Sequence, residues 1–336
     1  EELALEEGLA AAETRFAEAD SLLIQASEID SQWVEPLIAR GRYAYSRSRL
    51  ADDLDVLADN ADSAVAHANA ALALDPNSAE AYDVRGTTRY WQFLVGTAPD
   101  PDDRVRLLAD ARADLEQAIQ LGDLATSYST ISHLYYRDDV ASALLAARRA
   151  YEEDAYLDVA NEVLWRLYTG SYDLEQFQQA KRWCDEGFGR FAQDFRFAEC
   201  QLWLGSSPVG GLEPNAAWET RDHLLSVAPE GRLEYETVLS NMLVAGALAK
   251  AGLTDSATAV LDAAGSVGFE ADPTQDLLSI EAFLRSLLGD DDAAMALLRQ
   301  YITANPEHAF QRGESLSWWW DDLKSHPDFG TLYSRN

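Results

Sequence analysis

The side chains able to do chemistry in this 336-residue chain are scattered rather than grouped. Its five histidines, His67, His133, His223, His308 and His326, stand singly, with no carboxylate or cysteine ligand at helical metal spacing that lifts any of them above coincidence. Each reads as a surface or packing histidine. No Walker or dinucleotide glycine loop, GxSxG elbow, HExxH, CxxC, calcium loop or protein-kinase signature occurs. Carboxylates are too abundant, at 58 Asp and Glu, for any pairing in sequence to single out a catalytic couple. An all-helical, aromatic-rich acidic chain would suit an α/α-barrel glycosidase, which needs two carboxylates across a cleft and long loops carrying acids and aromatics. The two cysteines, Cys184 and Cys200, flank a predicted helix-helix turn. They could be spatial neighbours, but spacing cannot establish disulfide geometry, so we read both as packed free thiols and leave the redox compartment open. The expectation is no catalytic residue, no metal and no cofactor.

The formal net charge is −32, and lysine occurs only at Lys181, Lys250 and Lys324. Such a field repels phosphate backbones and anionic lipid, which argues against nucleic-acid or membrane-surface binding. It reads either as a solvated acidic surface or as the complement of a basic protein or peptide. With 47% hydrophobic residues the chain can bury a sizeable core without metals or disulfides. No apolar run is long enough for direct membrane insertion, and the start at Glu1 and Glu2 shows no basic signal-peptide region. Without an initiator Met, the sequence is expected to be a trimmed piece whose upstream anchor, signal or domain lies outside it. Oligomeric state is left open.

The elements that must position any site are helices. From Ala64 to Trp91 the chain reads AVAHANAALALDPNSAEAYDVRGTTRYW. Ala64, Ala68, Ala71 and Leu72 fall on one helical face, Asp75-Pro76 must end that helix, and Asn77-Ser78 can cap the next. That next helix carries Gly86, where a missing side chain admits a close neighbour. Residues 16–30 repeat the pattern of 61–75 at an offset of 45, and Gly41 and Tyr45 match Gly86 and Tyr90 at the same offset. A shared offset in two stretches signals a duplicated unit. The insertion RLADDLDVLADNAD between two helices keeps Leu50, Leu54 and Leu57 at helical steps and reads as a helix extension or short extra helix. GTAPDPDD, from Gly96 to Asp103, reads as a loop, with a helix from Arg104 to Leu121 closed by Gly122. Periodicity then predicts further pairs through the middle of the chain, split by the loop Ser206–Pro214, and the pattern sharpens again over Leu239–Ala264 and Gln275–Pro306.

The ALxLDPNSAEAYxxxG pattern resembles the tetratricopeptide repeat, a 34-residue helix-turn-helix unit. The resemblance implies an all-α solenoid, a right-handed superhelix of about seven helix pairs over residues 1–306. It also implies that first helices line a concave groove. Mapped from Gly41, Gly86 and the corresponding helix of the next pair, the groove candidates are Arg42, Tyr45, Asp83, Thr87, Tyr90, Trp91, Tyr128, Ser132 and Tyr135, with Ile38, Ser46 and Tyr136 beside them. Tyrosines in such helices also pack between repeats, and Trp165 and Trp203 read as core.

After Glu307 the repeat stops, and residues 307–336 carry Trp318, Trp319, Trp320, Pro327, Phe329 and Leu332. We read this as a Trp-rich helical cap over the last repeat. Its HPDFxxL ending is similar to the close of tetratricopeptide regions behind bacterial serine/threonine kinases and transcriptional regulators. The resemblance implies a non-catalytic protein- or peptide-binding or scaffolding module of a bacterial signalling protein, in the cytoplasm or periplasm. The alternative is a periplasmic accessory protein resembling the tetratricopeptide-like subunit of TRAP transporters.

Overall fold

A computed structural model describes residues 9–98, 100–311 and 317–333. Among them fifteen α-helices and no strand occur, and the chain is an all-α, tetratricopeptide-like helical-repeat protein. The chain forms two compact units, residues 1–163 and 164–336. In the first, α1 (Leu9–Ile29) precedes three helix pairs: α2 (Glu35–Leu50) with α3 (Leu54–Leu74), α4 (Ala79–Val95) with α5 (Pro101–Leu121), and α6 (Ala125–Tyr135) with α7 (Val140–Glu153). Four more pairs follow: α8 (Ala160–Asp173) with α9 (Phe177–Arg190), α10 (Phe195–Gly205) with α11 (Pro214–Val227), α12 (Leu233–Lys250) with α13 (Thr254–Ala263), and α14 (Asp276–Leu287) with α15 (Asp291–Ala304). Most of α8 belongs to the second unit.

Helix starts are set by short acceptor side chains. Asp53, Ser78, Asp100, Asp139, Asp194 and Asp290 each accept a backbone N–H from the first turn of the helix that follows, satisfying donors that have no partner within the helix. At Asp75-Pro76 the helix ends as the sequence demands, and Asp75 Oδ1 accepts from Asn77 N at 2.9 Å. RLADDLDVLADNAD is absorbed into the end of α2 and the start of α3, leaving only 51–53 as turn. GTAPDPDD is less of a loop than expected. Pro101 occupies the first helical position behind the Asp100 cap, so α5 begins three residues before Arg104.

Within each pair the helices meet through small residues. Ala61, Ala64, Ala68 and Ala71 of α3 and Ala111 and Ala118 of α5 are all fully buried. A Cβ on Gly86 would lie 2.8 Å from Leu115 Cγ and 3.0 Å from Asp114 Cβ, which is why α4 and α5 can cross here only with glycine. Successive first helices also touch: α2 with α4 and α4 with α6 in the first unit, α10 with α12 and α12 with α14 in the second. In each unit the first helices therefore form a continuous row. In the second unit α12 is buried along most of its length, from Glu236 and Val238 to Leu248, as a helix enclosed by neighbours must be.

Two expectations are corrected. Cys184 of α9 and Cys200 of α10 are not free thiols but a disulfide, with Cα atoms 6.0 Å apart, inside the range such a bond spans. The tail is not a Trp-rich α-helix: it forms short 3-10 turns at Trp318–Trp320, Leu323–Ser325 and Phe329–Leu332. Residues 312–316 lie outside the described part.

Candidate functional site

In the first unit the row α2, α4, α6 carries the expected groove residues, and the structure divides them. Arg42 is exposed, and Tyr45, Thr87 and Trp91 are half-buried. The Trp91 Nε1 donates to Ser48 Oγ at 3.0 Å, and the Arg49 guanidinium lies 6.0 Å from the ring centres of both Tyr45 and Trp91. Thr87 Oγ1 faces Thr130 Oγ1 at 3.2 Å across α4 and α6. These four keep surface on the row.

Asp83, Tyr90 and Ser132 do not line it. Asp83 is buried and accepts from Thr126 Oγ1 at 2.9 Å and Ser127 Oγ at 2.6 Å, tying α4 to α6. Burial pushes its carboxyl up, against the two hydroxyls and Arg42, which pull it down. Tyr90 is 3% exposed, stacked on Phe93 and edge-on to His133, inside the cluster of Ala111, Leu115, Ile131 and Leu134. Ser132 is fully buried, with its hydroxyl on Ser129 O. Ile38 is buried as well. Tyr128 and Tyr135 face the second helices: Tyr128 bonds Asp123 under Arg149, and Tyr135 bonds Glu116 under Arg112. Burial and the Glu116 charge push the Tyr135 phenol up to about 12.

The histidines serve local packing. His223 Nε2 lies 2.9 Å from Ala192 O, His326 pairs with Asp292, His308 meets the Tyr301 hydroxyl, and burial beside Arg40 holds half-buried His67 below its ordinary range. Among the described residues no group of three metal-ligating side chains comes together.

The second unit offers what the sequence did not point to. The tail crosses first helices of the unit as well as packing on the last repeat, where Asp328 pairs with Arg299 and His326 with Asp292 of α15. Trp318 stands edge-on to Tyr172 of α8, Phe177 of α9 and Phe283 of α14, at 5.4, 5.1 and 5.4 Å between ring centres. Trp319 is sandwiched between Trp203 of α10 and Phe283, at 5.1 and 4.9 Å and nearly parallel to both. Trp203 is core, as expected, whereas Trp165 is only half-buried, under Arg196 and against Phe197. Trp320 is 6% exposed beside Phe310, which also packs on Phe329. The only available signal was three aromatic residues in a row, which fixes neither direction nor partner.

No protein-family model and no curated protein matches the chain. Solved structures similar to it include a chain of the APC/C hetero-tetramer Cut9-Hcn1, at 12% identity over 91% of this chain and 53% of that one, with a TM-score of 0.48. PilF of Pseudomonas aeruginosa is similar at 16% identity over 81% of this chain and 92% of its own, with a TM-score of 0.37. YrrB, a TPR protein with an unusual peptide-binding site, is similar at 16% identity over 85% and 93%, with a TM-score of 0.26. The chain spans about half the length of the first of these.

Proposed function

We propose that this chain is a protein- or peptide-binding module without catalysis of its own, and that the row of first helices in each unit is its binding face. The observation that carries the reading is the tail: a short aromatic segment already lies across α8, α10 and α14, held by ring stacking on side chains those helices present. Aromatic side chains supply large contact area at low entropic cost, the usual basis of peptide anchoring. In the first unit the same role falls to Arg42, Tyr45, Thr87 and Trp91. A glycosidase reading is disfavoured because, up to Ala304, only 206–213 and 264–275 among the interhelical loops exceed six residues.

The setting we favour is the sensory or interaction region of a bacterial signalling protein, following the HPDFxxL likeness of the tail. A second reading has its own observation. The Cys184–Cys200 disulfide suits an oxidising compartment, as a periplasmic accessory protein of the TRAP type would occupy.

The test uses the full chain carrying Trp318→Ala and Trp319→Ala, titrated with a fluorescein-labelled peptide spanning residues 317–329. Saturable binding that the wild type lacks is expected, because the wild-type face is filled by its own tail. A variant that keeps its helical circular dichroism yet binds no better than wild type would overturn the proposal.

A further inference from the structure

In the second unit the Cys184–Cys200 bond and the docked tail hold the same two helices. On α9, Phe177, Ala180, Cys184 and Gly187 recur at three- and four-residue steps and so share a face. On α10, Cys200 and Trp203 stand one turn apart. Cys184 is bonded to Cys200, while Phe177 meets Trp318 edge-on and Trp203 stacks on Trp319, each at 5.1 Å between ring centres. Tyr172 of α8 ties the rings together, at 5.8 Å from Phe177, 6.4 Å from Trp203 and 5.4 Å from Trp318. The Trp203 Nε1 donates to Glu199 of its own helix at 2.9 Å, which fixes the ring that Trp319 covers. Each disulfide-linked helix therefore also presents a ring to the tail. The bond itself is enclosed. Both cysteines are fully buried, and Phe197 of α10 fills the space beside Gly187, where a Cβ would collide with its ring.

A reductant's thiolate must reach one of the two sulfurs, and access is among the factors that set the rate of exchange. With both sulfurs buried, that access requires α9 and α10 to part locally, a sub-global opening of the kind that exposes protected groups in folded proteins. Parting them also draws Phe177 away from Trp203, so the tail cannot keep both of its ring contacts. We propose that the disulfide and the tail form one redox-sensitive latch: the docked tail shields Cys184–Cys200 from reduction by a dithiol, and reduction in turn loosens the tail from the first helices. Once reduced, the helix pair opens more readily because the covalent limit on its separation is gone. In the exchange, one thiolate of the dithiol attacks a cysteine sulfur, the S–S bond breaks, and the other cysteine leaves and takes a proton. The second thiol of the dithiol then displaces the first cysteine, which is protonated in turn. The cystine gains two electrons and two protons, and the dithiol, having lost both, becomes a disulfide. Because the two events share one opening, the coupling is reciprocal: by whatever factor docking disfavours the opening, the opening disfavours docking. The latch rests on the bond and the ring contacts alone, and holds whether or not the uncovered face takes a partner.

The experiment follows reduction of the full chain by excess dithiothreitol near pH 8, where a free thiol is partly ionised. Released thiols are alkylated with iodoacetamide and counted by mass spectrometry. Trp318→Ala/Trp319→Ala should be reduced about tenfold faster than wild type or more, since it removes the rings that the tail sets against α9 and α10. Leu261→Ala is the control. It opens a cavity in the core of the same unit, on α13, which presents no ring to the tail, and should change the rate by no more than about threefold. Equal rates in wild type and the tail variant would overturn the proposal. So would equal acceleration by the control, which would mean that reduction follows unfolding of the whole unit. The second arm runs in the other direction and keeps the tail rings intact. Hydrogen exchange of Cys184→Ala/Cys200→Ala, compared with wild type, should show protection lost at residues 317–323 and in α9 and α10 but kept in α12 and α13. A tail as protected as in wild type would refute the latch, and loss of protection across the whole unit would refute it equally, by making the bond a general staple.

Discussion

Replacing Trp319 by alanine tests how firmly the tail is held. The ring is stacked between Trp203 and Phe283, and each aromatic pair contributes about 0.5–1.5 kcal/mol beyond its area, so stacking alone gives roughly 1–3 kcal/mol. Full truncation of a buried Trp costs about 3–5 kcal/mol, and Trp319 is only partly buried, which places the burial contribution toward the low end. One contribution has the opposite sign: among the described residues the buried Trp319 Nε1 makes no hydrogen bond of good geometry, its polar neighbour being the Tyr172 hydroxyl, and removing it recovers about 1 kcal/mol. The net loss is roughly 2–3 kcal/mol, or about 4–10 °C in the melting temperature of a unit this size. Trp319→Phe separates the contributions, because it keeps a ring in the sandwich and deletes the N–H; it should lose less than about 1 kcal/mol. Hydrogen exchange followed by mass spectrometry locates the effect, with protection falling in α10 and α14 and unchanged in α2–α5. If Trp319→Ala melts like wild type and α10 and α14 keep their protection, the sandwich is not what holds the tail.

In the first unit, Asp114 accepts from Arg85 at 2.9 and 2.7 Å and from Arg89 at 2.5 Å, so Asp114→Ala strands two largely buried guanidinium groups and should cost about 2–4 kcal/mol in urea unfolding. A loss below about 1 kcal/mol would mean the two arginines find water instead. Glu199 gives a pH signature. Its folded value of about 7 lies above the ordinary 4.5, so the folded state holds the extra proton and its contribution to stability falls as pH rises from about 4.5 to 7. Glu199→Gln should therefore exceed wild type in stability by roughly 1–3 kcal/mol at pH 8 and match it near pH 4; a constant difference across that range would contradict the assignment. Opening the Cys184–Cys200 bond, which closes a sequence separation of 16, should cost about 3 kcal/mol, measured as the loss of unfolding free energy in the Cys184→Ala/Cys200→Ala double variant. Equal stability with and without the bond would refute that figure.

What could be read from the chain beforehand was whatever is decided locally. Asp75-Pro76 ends a helix through its own backbone chemistry, and the offset of 45 between Gly41 and Gly86 records two close helix crossings, which a Cβ at either position would block. The all-α repeat architecture and its seven pairs followed from such signals. Side-chain direction did not. Tyr90 and Trp91 are adjacent in sequence and turned about 100° apart on α4, and that rotation decides which is buried against Leu115 and which reaches Ser48. Asp83 read as a groove carboxylate because nothing in its own helix reveals the Thr126 and Ser127 hydroxyls that enclose it. The cysteine pair and the return of the tail both depend on groups brought together from different helices, where spacing in sequence carries no distance. The middle pairs were harder to delimit than the ends because they lack the Asp-Pro turn, although Asp139 and Asp194 cap α7 and α10 in the same way.

The disulfide also has a mechanical meaning. It joins the second helix of one pair to the first helix of the next, so a pulling force that peels helices from the end of the second unit meets a covalent stop there. The chain between Cys184 and Cys200 cannot pay out under tension. Sixteen residue steps at full extension, less the 6.0 Å already spanned by the bond, amount to about 5 nm of contour length that stays hidden until the bond is reduced. In a tethered or crowded setting this makes the α9–α10 junction a fixed link in the line of force, around which the neighbouring helices can separate and return.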